Sequence, residues 1–226
     1  MTTSAPDLHD LSALEGRSFD AVLFDLDGTL IDSTPAVVRS WVTWAHEHDV
    51  DPRVFEGNHG VPAVQIIATV LPPHRVPAAL QRIVDIEVAD VDGILVLPGT
   101  LDALAALPDG ACAVVTSCTR VLARARIAAT HLPAPAVVVT ADDVTTGKPD
   151  PAPYLLGARL LGVDPARCLV VEDAPSGLLA GSLAGAATLA VTTTTAAGRL
   201  RADAVVTDLS DVRFTAAPDG VRLVRA

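Results

Sequence analysis

The 226-residue chain is predicted to be an α/β protein, a parallel sheet with helices on both faces and one all-helical insert. Three observations predict this. Short runs of Val, Ala and Leu recur along the chain, too apolar for a solvent-facing strand, with helical patterns between them. The first, second and fourth of these runs end in polar residues. The stretch from the first run to the second is far longer than one strand-to-strand crossover needs, and its pattern is helical.

Residues 1–17 are polar and irregular and read as a loose lead-in. The first strand covers about 18–24 and ends in Asp25 and Asp27, after which Gly28-Thr29 breaks it. Thr34-Pro35 reads as the cap and first turn of a helix, with Val38, Trp41, Val42 and Ala45 at helical spacing. Further helical stretches lie near 62–70 and 76–90, and Pro98-Gly99 closes the block. Residues 32–97 are therefore expected to form a separate helical unit, embedded by two linker strands in a core of residues 1–31 and 98–226. Past Gly99 a helix over 101–107 stops at Pro108-Asp109-Gly110. Buried strands are expected at 111–115, 137–139, 168–171 and 187–191, with helices at about 119–130, 151–161 and 175–184. Residues 204–206 read as a sixth strand. Residues 221–224 read as an edge strand, paired with 212–215 across a Pro218-Asp219-Gly220 turn.

Composition excludes several classes. A formal net charge of −11 without a basic cluster argues against nucleic acid and anionic membranes as partners, since both demand a positive surface. No secretion signal is visible in residues 1–10, and no apolar run is long enough to span a bilayer. The three cysteines are an odd number. Cys112 and Cys168 lie in strand-like runs and read as buried thiols, while Cys118 follows a candidate site residue. These features point to the cytoplasm.

In an open α/β sheet, ligands bind beyond the carboxyl ends of the strands. Asp25 and Asp27 end a buried strand, where two carboxylates repel and lose hydration. A hard divalent cation such as Mg²⁺ would relieve both costs. Thr116-Ser117 ends the second strand next to a helix start, where a hydroxyl and free backbone N–H groups suit a phosphate. Lys148 is the single lysine among 16 basic residues, and it sits within Gly147-Lys148-Pro149-Asp150-Pro151 after the third strand. Glu172-Asp173 ends the fourth.

Asp25-Leu26-Asp27-Gly28-Thr29-Leu30 resembles the first motif of the haloacid-dehalogenase-like hydrolases. Thr116, Lys148 and Glu172-Asp173 fall in the order of the family's remaining three motifs. The resemblance implies a Rossmann-like core with a helical cap, a Mg²⁺ ion and an aspartyl-phosphate intermediate. It implies Asp25 as nucleophile and Asp27 as general acid and base. Asp25, the backbone carbonyl of Asp27 and Asp173 would hold the metal, with Glu172 a ligand through water or an orienting neighbour. Asp25, Leu26, Asp27, Thr116, Ser117 and Lys148 would contact the substrate.

Within the family, a carboxylate at Asp27 points to phosphoryl chemistry rather than dehalogenation. The absence of lysine from 32–97 argues against Schiff-base cleavage of phosphonates. A phosphatase and a β-phosphoglucomutase-type mutase both fit. Arg39, Arg53, Arg75 and Arg82 of the insert form no obvious cluster for a second phosphate, which favours the phosphatase. A non-catalytic phosphometabolite sensor is a third reading, but it would be expected to have lost Asp25, Asp27 or Lys148. Segments around Asn58-His59-Gly60, Thr116-Ser117 and 132–149 look most like the bacterial sugar phosphatases. That group acts on 2-deoxyglucose 6-phosphate, hexitol phosphates and glycerol phosphates. The likeness makes His59 a substrate-binding residue, although Val61 stands where a basic residue is typical. The implied partner is a small phosphorylated metabolite, bound by a monomer.

Overall fold

A computed structural model describes residues 8–55 and 63–226. The chain runs through β1 (Ala21–Phe24), β2 (Ile31–Asp32), α1 (Thr34–Glu47), α2 (Ala63–Val70), α3 (Val76–Ala89) and β3 (Leu95–Val96). It continues through α4 (Thr100–Ala106), β4 (Cys112–Val115), α5 (Arg120–Thr130), β5 (Val137–Val139), α6 (Ala152–Leu161) and β6 (Cys168–Glu172). Last come α7 (Pro175–Leu183), β7 (Ala187–Val191), β8 (Ala204–Val206), β9 (Val212–Ala217) and β10 (Gly220–Arg225).

Six strands form one parallel sheet in the order β5-β4-β1-β6-β7-β8. The first strand is central, and the chain winds outward from it twice in opposite directions. The crevice of such a sheet opens where the order reverses, beyond the carboxyl ends of β1 and its neighbours. Phe24 lies opposite Val114 on β4 and Val171 on β6, so the residues that follow all three strands emerge side by side. Ala21, Val22, Leu23 and Phe24 are fully buried, as an unbroken apolar strand must be when both faces are covered. Tyr154 and Ala158 of α6 and Ala180 of α7 pack on one face, against Leu23, Val115 and Val170. On the other face Ala123 and Ile127 of α5, Ala103 of α4, and the β9–β10 hairpin cover the sheet.

Between β1 and β4 the chain leaves the sheet through a short antiparallel ladder, Ile31 opposite Val96 and Asp32 opposite Leu95. The helices beyond it have an apolar cluster of their own: Trp44, Ile67, Leu71, Ala79, Ile83 and Ile86. Trp44 is completely buried, and its indole N–H donates to the Ala79 carbonyl at 2.8 Å, tying α1 to α3. The Arg82 fork on Glu47 spans the same two helices, and the Arg39 fork on Asp90 links α1 to the chain just beyond α3.

Three expectations change. Residues 8–17 are packed rather than loose: Leu11 and Leu14 enter the main core, and His9 N–H donates to Val205. Their threefold apolar spacing forms turns against the sheet, which a reading of polarity alone overlooks. β10 is not an edge of the sheet. It pairs with β9 as a separate ribbon whose Phe214, Val221 and Leu223 face the core, Phe214 meeting Phe24 edge-on at 5.9 Å. Finally, Ser33 rather than Thr34 occupies the cap position of α1, and Asp32 accepts from the Thr34 N–H at 3.0 Å. Among the described residues no helix is long and apolar enough to cross a membrane.

Candidate active site

Asp25 is the first residue past β1, and its backbone N–H still donates to Val171 across the sheet. Its carboxylate accepts from Lys148 Nζ at 2.6 Å. The same ammonium donates to Glu172 Oε1 at 2.7 Å and to the Val115 carbonyl at 2.8 Å. An ammonium has three N–H donors, so Lys148 is saturated, and its three partners come from the ends of three neighbouring strands. Burial alone would lower the Lys148 pKa, but Asp25 and Glu172 raise it well above the ordinary value. It is a fixed positive charge.

Glu172 is equally constrained. Oε1 also accepts from the Tyr154 hydroxyl at 3.1 Å, and Oε2 accepts from the backbone N–H groups of Asp173 and Ala174, both at 3.0 Å. Gly177, one turn into α7, makes room for it: a Cβ there would lie 1.6 Å from Glu172 Oε1. Asp173 accepts from Thr29 Oγ1 at 3.3 Å and from the Thr194 hydroxyl. Gly28, at φ +84°, leaves space for that carboxylate; a Cβ would stand 2.4 Å from Asp173 Oδ2. Only glycine adopts such a φ readily.

One carboxylate oxygen from each of Asp25, Glu172 and Asp173 lies within 4.8 Å of the others. Three acids thus face a single ammonium in a buried pocket. Burial pushes the Asp25 carboxyl well above the usual range, Lys148 opposes this, and Glu172, Asp173 and Asp27 add to it. Asp173 is pushed up to about 7, by burial first and Glu172 second. Such a pocket has an uncompensated negative charge and an all-oxygen donor set, which fits a hard divalent cation.

The second aspartate points elsewhere. Asp27 Oδ1 accepts from Ser33 Oγ at 2.7 Å and pairs with Arg126 Nη1 at 2.8 Å, while Oδ2 accepts from Cys118 Sγ at 3.0 Å. Its carboxylate is outside the triad of acids. Leu26, between the aspartates, buries its side chain in the core, so only its backbone can face a ligand. Thr116 is buried at the end of β4, its hydroxyl accepting from the Cys118 N–H at 3.1 Å, whereas Ser117 is exposed. The helix expected over about 119–130 starts here. α5 is capped at Thr119, and Asp142 already accepts from the Arg120 N–H at 2.8 Å. His59 lies outside the described residues. A cleft of about 520 Å³ borders the Asp27 loop, lined by Gly28, Asp32, Thr34, Pro98, Thr193 and Asp208.

The sequence does not single out Ser33, Arg126, Tyr154 and Thr194, nor Glu87, whose Oε1 accepts from Arg126 Nη2 at 3.1 Å. Arg126 carried a signal, because it shares a helical face with Leu122 and Ala123, where a charge must find a partner. Tyr154, the one tyrosine, likewise sits on the buried face of its helix. Cys118, which follows a candidate site residue, donates to Asp27 Oδ2.

A doubly wound sheet with a strand-end cluster of acids and one lysine defines a class of phosphoryl- or metal-handling hydrolases. A family model described as haloacid dehalogenase-like hydrolase matches residues 19–185, and the chain belongs to that family. Hexitol phosphatase A of Escherichia coli is 42% identical over 88% of this chain and 95% of its own. 2-Deoxyglucose-6-phosphate phosphatase 1 of Saccharomyces cerevisiae is 31% identical over 86% and 90%. Among solved structures, a family IA hydrolase from Entamoeba histolytica superposes with a TM-score of 0.76 at 22% identity, covering 84% of this chain and 93% of that one. This last likeness is one of fold.

Proposed function

We propose that the chain is a Mg²⁺-dependent phosphatase that hydrolyses small phosphorylated sugars or polyols through an aspartyl phosphate on Asp25. The observation that carries this reading is the division of labour between two carboxylates two residues apart. Asp25 is held by Lys148 inside the acidic pocket, and Asp27 is held outside it by Arg126 and Ser33.

The Asp25 carboxylate attacks phosphorus in line as the bond to the leaving oxygen breaks. Asp27 delivers a proton to that oxygen. It then takes one from the water that cleaves the acyl phosphate, restoring both carboxylates. Lys148 fixes the attacking oxygen, and Thr116 and Ser117 hold phosphoryl oxygens from the neighbouring strand end. Asp25, Asp173 and the Asp27 carbonyl would hold Mg²⁺, which when bound supplies Lewis-acid stabilisation of the phosphoryl charge. Glu172, with both oxygens engaged, orients Lys148 and the Asp173 backbone.

The helical insert acts as a cap over this pocket and selects the substrate. Sugar and polyol phosphates are supported by the two curated relatives, each aligned along most of its length. The insert's arginines argue against a mutase. Arg39, Arg53 and Arg82 are each engaged by a local carboxylate rather than free to hold a second phosphate. His59 is our candidate for the polyol contact. All three cysteines are free thiols, which suits a reducing cytoplasm.

A phosphate-release screen tests the reading. With Mg²⁺, hexitol, deoxyhexose and glycerol phosphates should turn over, while EDTA or Asp25→Asn should abolish release. Conversion of β-glucose 1-phosphate to glucose 6-phosphate without phosphate release would instead establish the mutase.

A further inference from the structure

We propose that Arg126 is a positioning residue for Asp27, and that Glu87 of the helical insert sets it, so that docking of the insert and alignment of Asp27 are one event. This inference rests on the phosphatase reading above. Arg126 lies on the sheet-facing side of α5 and is only 4% exposed. Its Nη1 meets Asp27 at 2.8 Å and donates to Cys118 Sγ at 3.1 Å. Its Nη2 donates to Glu87 Oε1 at 3.1 Å. Glu87 is on α3, more than thirty residues upstream in a different part of the fold, and is itself 12% exposed.

Among the described residues the Arg126 Nε–H is buried without a partner. The guanidinium is held there through its two terminal nitrogens, one on the core and one on the insert. Because the group is planar and rigid, moving the Nη2 anchor moves Nη1, and with it the carboxylate that must reach the leaving oxygen. Removing Glu87 would leave a buried cation tied through Nη1 to Asp27 and Cys118, free to pivot about that nitrogen. Lysine could not replace it, since a single ammonium on that stem cannot present two nitrogens to carboxylates on opposite sides. Ser33, the cap residue of α1, and Cys118 also hold Asp27, but the direct link from Asp27 to α3 runs through Arg126.

Leaving-group dependence is the readout. A p-nitrophenolate leaves with little help, whereas an alkoxide requires a well-placed proton donor. The ratio of kcat/KM for sorbitol 6-phosphate to that for p-nitrophenyl phosphate is independent of how much of a preparation is folded. In Glu87→Gln and in Arg126→Lys this ratio should fall about tenfold, a fraction of the ~10²–10⁴ that a proton donor contributes. The double variant should fall no further, because both changes break one chain of contacts. A ratio within about twofold of wild type in either single variant, or additive losses in the double, would overturn the inference while leaving the phosphatase intact. A wild-type protein that released no phosphate from either substrate would overturn both.

Discussion

Asp173 shows how one buried carboxyl couples metal, proton and stability. In the folded chain it keeps its proton up to about pH 7, because burial and the neighbouring Glu172 outweigh the Thr194 hydroxyl and Lys148. Unfolded, it would lose the proton near pH ~4. The folded state thus binds the extra proton between these values, and this group's contribution to stability falls as pH rises across that window. Bound Mg²⁺ would replace the proton and reverse the trend, since a ligand of the folded state stabilises it. Thermal unfolding checks this. In EDTA the midpoint should drop between about pH 4 and 7, and Asp173→Asn should flatten the drop. Mg²⁺ should raise the wild-type midpoint more at the higher pH. A Mg²⁺ effect that is equal at both pH values would contradict this description of Asp173. At this scale Asp25, Glu172 and Asp173 were legible as neighbours because each is a charged group at or just past a strand in a parallel sheet, and Lys148 because it is the single lysine, within Gly147-Lys148-Pro149. Arg126, Glu87 and Tyr154 were not, because their partners depend on how helices rotate and dock, which spacing along the chain does not record.

Among the elements, the junction of β6 and α7 carries the closest fit. α7 starts immediately after Asp173, and Gly177 lets the helix pass within contact of Glu172. Gly177→Ala would push Glu172 off Lys148, and should cost about 1–3 kcal/mol by overpacking together with most of the phosphatase activity. Gly198→Ala is the matched control, since a Cβ there meets nothing within 4 Å, and it should change neither the unfolding midpoint nor turnover. Equal effects from the two variants would refute the role assigned to Gly177. The elements themselves were well marked. Strands at 137–139 and 187–191 coincide with the expected ranges, because continuous Val and Ala runs bounded by polar residues leave little choice. The β9–β10 ribbon was placed wrongly because its alternating pattern reports one buried face without saying which layer it covers. Its burial follows that alternation, but against the face of the sheet rather than its edge.

Taken whole, the molecule is a six-stranded sheet whose central strand leads into Asp25, the proposed nucleophile, and a helical insert with several ties to it, two of them central. One tie is the β2–β3 ladder; the other is the Glu87–Arg126–Asp27 chain. The long gap between the first two sheet strands made the insert legible, but the second tie is visible only once the parts are docked. The central claim is that phosphoryl transfer passes through Asp25. Mixing the Mg²⁺-loaded enzyme with a hexitol phosphate, quenching in acid within a turnover and mapping the peptides by mass spectrometry tests it directly. The account predicts a labile phosphoryl group on the peptide carrying Asp25, absent from Asp25→Asn, which should also release no phosphate. Steady phosphate release by Asp25→Asn, or a phosphoryl group trapped on a different residue, would contradict it.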